Sequence, residues 1–183
     1  MRAANALSVA LLALVLAPVE GQTRTGALSD REIDQVRESR LIPAESILLF
    51  VKFLDVRSDR ISALYAKGRR PGREQDTHDL MEQFTTLVDE LDDNLADYGP
   101  RHADLRRALP RLLQALDRWS TAIKTPPEDD VYAVSRKIAL ESIRDLRETA
   151  TQMTTEQEAW FKAHPPAKQK DGQGTGDEIT IRR

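Results

Sequence analysis

The chain has 183 residues, enough for one domain with a sizeable core, and its net charge of −3 is a near-balance of 27 basic and 30 acidic side chains. A charged fraction of 31% with so little net charge suits long solvated helix faces. It argues against a disordered acidic protein or a general nucleic-acid binder. There is no cysteine, which excludes disulfides, thiolate metal sites, covalently attached haem, cysteine nucleophiles and a lipid-modified cysteine anchor.

The first residues read as an export signal. Arg2 gives a short positive region, and the apolar run Ala6–Ala17 follows and ends at Pro18. That run is short for a bilayer span and of the right length for a signal peptide. Small or medium residues at Val19 and Gly21 predict cleavage before Gln22, so residues 1–21 are assigned as a signal peptide and 22–28 as a flexible N-terminus. An uncleaved anchor and a buried helix are the competing readings of the segment. The expected location is the periplasm or the extracellular space, with no membrane span in the mature chain.

From residue 29 the pattern is helical. Ser29-Asp30-Arg31-Glu32 has the S-x-x-E form of a capping box and opens a short leading helix to about Ser39. Pro43 suits a first helical position and starts a long helix to about Ala66. Its segment Ile47–Leu54 is apolar on nearly every side. Such a segment is either central in a bundle or covered by a partner. Phe50 and Phe53 are therefore also candidates for an interaction surface, including that of a homodimer.

Residues 67–73 (KGRRPGR) form a loop by their Gly and Pro content. Its cations Lys67, Arg69, Arg70 and Arg73 are candidates for binding an anionic surface or an acidic partner. The next helix runs from about Asp76 to Tyr98, with Met81, Phe84, Val88, Leu91, Leu95 and Tyr98 on one stripe. Gly99 and Pro100 stop it. A third long helix extends to about Lys124 on Leu105, Leu109, Leu112, Leu116, Trp119 and Ile123, with Pro110 predicting a kink or a delayed start. Thr125-Pro126-Pro127-Glu128 carries a capping-box spacing and predicts the start of the last helix. That helix reaches about Ala163 on Tyr132, Ala139, Ile143, Leu146, Ala150, Met153 and Trp160. Pro165 and Pro166 end it, and residues 165–183 have little to bury and are expected to be disordered.

These elements predict an all-α, antiparallel up-down-up-down four-helix bundle over residues 29–164, with the short leading helix before it. The acidic helix 76–98 and the Arg-rich helix after it are expected to lie side by side, with opposite charges favouring that pairing.

Few residues carry recognisable chemistry. No Glu-x-x-His occurs, so the di-iron pattern of helical bundles is missing. Glu74, His78 and Glu82 recur at four-residue spacing on one helix face and are the best metal-ligand candidates. Asp89–Asp97 lacks the glycine turn of a calcium loop. No phosphate loop, no G-x-S-x-G and no plausible Ser-His-Asp set is apparent among the three histidines. Met153-Thr154-Thr155-Glu156-Gln157 resembles the L-T-x-x-Q motif of the Spy/CpxP-type periplasmic chaperones, with Leu28–Glu32 a looser second copy. The resemblance implies a small exported helical protein that binds unfolded chains. The primary expectation is a non-catalytic exported interaction or scaffold bundle without a cofactor and without a nucleic-acid partner. A metal- or small-ligand-binding bundle and a chaperone are the alternatives.

Overall fold

The computed structural model describes residues 26–165. The expected signal peptide, its cleavage site and the tail beyond Pro165 lie outside the described residues. Among the described residues the fold is all-α, with five helices: α1 (Asp30–Ser39), α2 (Pro43–Ala66), α3 (Arg73–Tyr98), α4 (Leu109–Lys124) and α5 (Ala133–Ala163). No described helix is long and apolar enough to cross a membrane.

The helix ends follow local chemistry. Glu32 reaches back to both the amide and the hydroxyl of Ser29, closing the capping box. Pro43 occupies the first turn of α2, where a missing amide is harmless. Gly72, at φ 78°, turns the chain into α3, a conformation open to glycine. Pro110 sits in the first turn of α4, so the delayed start is what the proline produces, and residues 99–108 are turns and irregular chain. The start of α5 is a correction. The helix begins at Ala133, not near Pro126. The Thr125 hydroxyl turns back to the Thr121 carbonyl at 3.0 Å, so it is not free to cap a new helix.

The predicted stripes form the core. Met81, Phe84, Leu91 and Leu95 of α3, Leu112, Leu116, Trp119 and Ile123 of α4, and Ala139, Ile143, Leu146 and Ala150 of α5 are all buried. Trp160 is the exception, being only half-buried, while Gln157 takes the interior position one turn earlier. Burying an aliphatic side chain fully contributes about 1.5–3 kcal/mol, so these stripes dominate the folding energy. Helix α2 is packed on three sides, by α1, α3 and α4, which explains its all-round apolar sequence. Phe50 and Phe53 are 1% and 2% exposed and meet edge to face, centroids 6.3 Å apart. The idea that they form an interaction surface or dimer face is therefore overturned, because the bundle itself covers them.

Directions alternate up-down-up-down, but the order around the bundle differs from expectation. Both α2 and α5 pack against α3 and α4, so α3 and α4 lie across the diagonal. Arg107 pairs with Glu45, and Arg118 with Asp55 at 3.0 Å, which sets α4 parallel to α2. His78 meets Ser135 near the starts of α3 and α5, which run parallel. Residues 99–108 carry the chain over the end of the bundle. The Gln157 side chain holds this crossing, accepting from the Leu105 amide at 2.9 Å and donating to the Ala103 carbonyl at 2.7 Å. Phe84 and Trp119 touch edge to face across the centre, at 5.7 Å.

The expected charge pairing of α3 with α4 is thereby corrected. Arg118 of α4 and Arg107 just before it serve α2, and the acidic run of α3 is left beside its own members. Burial first, then Asp93 and Asp92, raise the Asp89 carboxyl above its usual range; burial and then Asp93 do the same for Glu90. Asp93→Asn removes the charge both groups share. The urea midpoint of this variant is expected to rise, by the equivalent of about 0.5 kcal/mol; a fall would show that Asp93 has a cationic partner in solution.

Helix α1 has no fully buried residue and packs chiefly on α2. Its anchor is a buried ion pair. Arg57 donates to both oxygens of Glu32 and to the Ala27 carbonyl at 2.7 Å. The Arg57 bond, the larger effect, draws the Glu32 carboxyl from 4.5 to about 2, against the opposing effect of burial. A carboxyl lowered on folding stabilises fully above its unfolded value and loses that stabilisation as pH falls through its folded one. Docking of α1 should therefore weaken between pH 4.5 and about 2, by on the order of 2 kcal/mol. Glu32→Gln should release α1 at neutral pH. Hydrogen exchange over residues 30–39 reads this directly, with the α2–α5 amides unchanged.

Candidate functional site

The polar groups concentrate at the end of the bundle where the α2–α3 loop meets the α4–α5 connection. Tyr132, just before α5, donates its hydroxyl to the Pro127 carbonyl at 2.6 Å and receives that of Tyr65 at 3.2 Å. Tyr65 also bonds Thr77 on α3 at 3.0 Å. Burial, then the Tyr65 bond, push the Tyr132 phenol well above its usual range, so it stays protonated. Arg136 closes the α4–α5 connection by donating to the carbonyls of Pro126 and Pro127 and to Glu128. This long-reach bond replaces the capping box that the sequence suggests at Thr125.

His78 lies beside this network. Its Nδ1 is 2.6 Å from Ser135 Oγ and its Nε2 is 3.2 Å from Glu82 Oε1. A carboxylate only accepts, so in the neutral ring Nε2 carries the proton and Nδ1 receives the serine hydroxyl. The sequence shows no Ser-His-acid set, yet the fold assembles one, Ser135–His78–Glu82. No local signal announces it: 57 positions separate Ser135 from His78, and they meet only because α3 and α5 run parallel. The order is inverted relative to a hydrolytic triad. That chemistry needs an accessible hydroxyl and a sheltered carboxylate. Ser135 is 6% exposed, whereas the Glu82 side chain is 65% exposed. The arrangement ties two helices together.

The metal-ligand set is not brought together. Glu74 turns to Arg69 at 3.3 Å and Arg73 at 3.1 Å, away from His78, and its carboxyl is drawn down by its own backbone and by those arginines. Both His78 nitrogens already have partners. No group of three metal-ligating side chains forms among the described residues.

The basic loop is largely neutralised. Arg69 and Arg73 share Glu74, Arg70 pairs with Asp76, and Arg73 also covers the Tyr65 ring at 4.4 Å. Lys67 alone of the four has no ion pair among the described residues. Lys67 and Arg70 line an open groove of about 560 Å³ with Arg60, Leu64 and Leu80. Asp76 and Asp79 also line it, so its walls carry both signs, three cations against two carboxylates.

The residues resembling a chaperone motif serve the fold. Gln157 holds the α3–α4 crossing, Thr154 bonds back to the Ala150 carbonyl at 2.8 Å, and Glu32 caps α1 and binds Arg57. Exposed large apolar side chains lie in separate places: Val131, Val134 and Ile138 at the start of α5, and Leu41 and Ile42 at the α1–α2 corner, besides Ile33 and Val56. Comparison with known proteins finds no matching family model, no matching curated protein and no matching solved structure.

Ser135→Ala strips His78 Nδ1 of its partner and should lower stability by about 1–2 kcal/mol in urea unfolding. Zinc at a large excess should leave the melting temperature of the wild type unchanged. A zinc-dependent rise, abolished in His78→Ala, would restore the metal reading.

Proposed function

We propose that the chain is an exported, non-catalytic bundle that works through its outer surface as an interaction or scaffold protein. One observation carries the reading: the side chains capable of chemistry inside the bundle are engaged in holding its elements together. Ser135 and His78 bridge α3 and α5, Tyr65 and Tyr132 bridge α2 to the α5 start, and Gln157 binds the crossing. The three grooves among Arg60 and Lys67, Asp55 and Arg118, and Arg136 and Lys137 are open and lined by both charge signs. Export rests on the reading of residues 1–21.

The outward stripe of α5 is the surface on which we place a protein partner. Val134 is 70% exposed, with Ile138 one turn on and Val131 before it. Val134 and Ile138 lie on the side of α5 turned away from the buried Ile143 and Leu146, and no helix among the described residues covers them.

Two measurements test the reading. A fluorophosphonate probe should leave Ser135 unlabelled in the folded protein; labelling lost in Ser135→Ala would establish a reactive serine and defeat the non-catalytic assignment. A photo-crosslinker at position 138, used in the producing cells, should trap one defined protein, and Val134→Lys should abolish the adduct. A scatter of adducts, unaffected by that substitution, would refute the stripe as a partner site.

A further inference from the structure

The groove between α2 and α3 lies apart from the partner stripe on α5. Its volume of about 560 Å³ falls in the range of small-molecule sites. Ala63 and Leu64 of α2 and Leu80 of α3 give it an apolar floor. The register of its walls follows from the Tyr65–Thr77 bond at 3.0 Å. With the two helices antiparallel, Gln83 comes across from Arg60, while Asp76 and Asp79 stand toward the loop.

The charges along this groove are unevenly answered. At the loop end Arg70 pairs with Asp76, and Asp79 receives the Gln75 amide at 2.8 Å. Arg60 and Lys67 have no ion pair among the described residues. Lys67 stands at the end where both lining carboxylates are, whereas the lining residue across from Arg60 is the neutral amide of Gln83. The carboxylates next in sequence to these two face elsewhere. Asp59 lines the separate α2–α4 groove, and Glu82 pairs with His78. The end away from the loop therefore offers a guanidinium and an amide above apolar side chains.

We infer that this groove binds an aliphatic monocarboxylate, with the headgroup at Arg60 and Gln83 and the tail along Ala63, Leu64 and Leu80 toward Lys67. A guanidinium matches a carboxylate with two parallel N–H···O bonds, and the Gln83 amide supplies a further donor. Arg60 and Lys67 are about 10 Å apart along α2, room for a medium-chain tail on the floor. The alkyl stem of Lys67 continues the apolar surface. Asp76 and Asp79 disfavour a second anionic group at that end, so one carboxylate is selected over two. The inference is independent of the partner reading.

The test is a titration of the isotope-labelled full chain with octanoate, followed by amide NMR shifts. Saturable shifts are expected over residues 60–68 and 76–83. Octanol, inorganic phosphate and the dicarboxylate suberate should each bind at least about tenfold more weakly, since each lacks the charge, lacks the tail or carries a second charge. Arg60→Gln should weaken octanoate by a similar factor, and Ala63→Glu, which sets a carboxylate on the floor, should abolish binding. Arg144→Gln, in the groove beside Arg136, should bind as the wild type. Arg60, Ala63 and Arg144 are exposed, so the variants keep the fold, as circular dichroism checks. No saturable shift with octanoate, shifts centred elsewhere, equal binding of octanol, phosphate or suberate, or an Arg60→Gln variant that binds as the wild type overturns the inference.

Discussion

The crossing between α3 and α4 is the constraint on which the rest of the architecture depends. A turn that set α4 beside α3 would make all sequence neighbours spatial neighbours. Residues 99–108 instead carry the chain over the end, and each of the two central pairings, α2 with α4 and α3 with α5, becomes parallel. Gln157 holds the crossing by its amide, which donates and accepts at once and so satisfies two backbone groups that turns leave orphaned. Leu105 and Ala108, buried at this point, seat the crossing on the core. The pairings that follow would be lost in the alternative order. Asp55 accepts the Trp119 indole N–H at 2.7 Å, and His78 finds Ser135.

The second organising device is the buried arginine. The stripes account for the helices, but the irregular segments need their own attachments. Arg57 holds the stretch before α1 through Glu32 and the Ala27 carbonyl. Arg136 holds the prolines before α5. Arg73 lies over Tyr65 where the α2–α3 loop enters α3. All three leave Nε buried without a partner. A guanidinium has five donors and stays charged when buried, so it reaches several acceptors and tolerates one unmet donor. Burying a cation is costly, and breaking such a pair costs more than the pair contributes. The segments held this way are therefore the places where a single substitution opens the structure locally.

How far the sequence discloses this fold depends on the range of each interaction. Core stripes are legible because helical period and burial coincide, and Phe84, Leu91, Leu112 and Leu116 all point inward. The Ser29 capping box is legible because its partner is three residues away. The α5 start is not, since the competing bonds of Thr125 to Thr121 and of Arg136 to Pro126 depend on the folded path. The order of helices around the bundle is not legible from charge either. Exposed pairs contribute about 0–1 kcal/mol, less than the packing of one large core side chain, so complementary helices can end up on the diagonal. The candidate site suffers most: whether Glu74 faces His78 or two arginines is a matter of side-chain rotation on one helix face, which spacing alone does not determine.

Helix α5 is a stiff span between the two ends of the bundle. Helix α5 joins them without interruption, from Ile138 near one end to Phe161 near the other. At 1.5 Å per residue the separation is about 35 Å. The Ser135–His78 bridge fixes one end of α5 to α3, and Gln157 fixes the other to the crossing, so both ends of the helix are tied to the rest of the bundle.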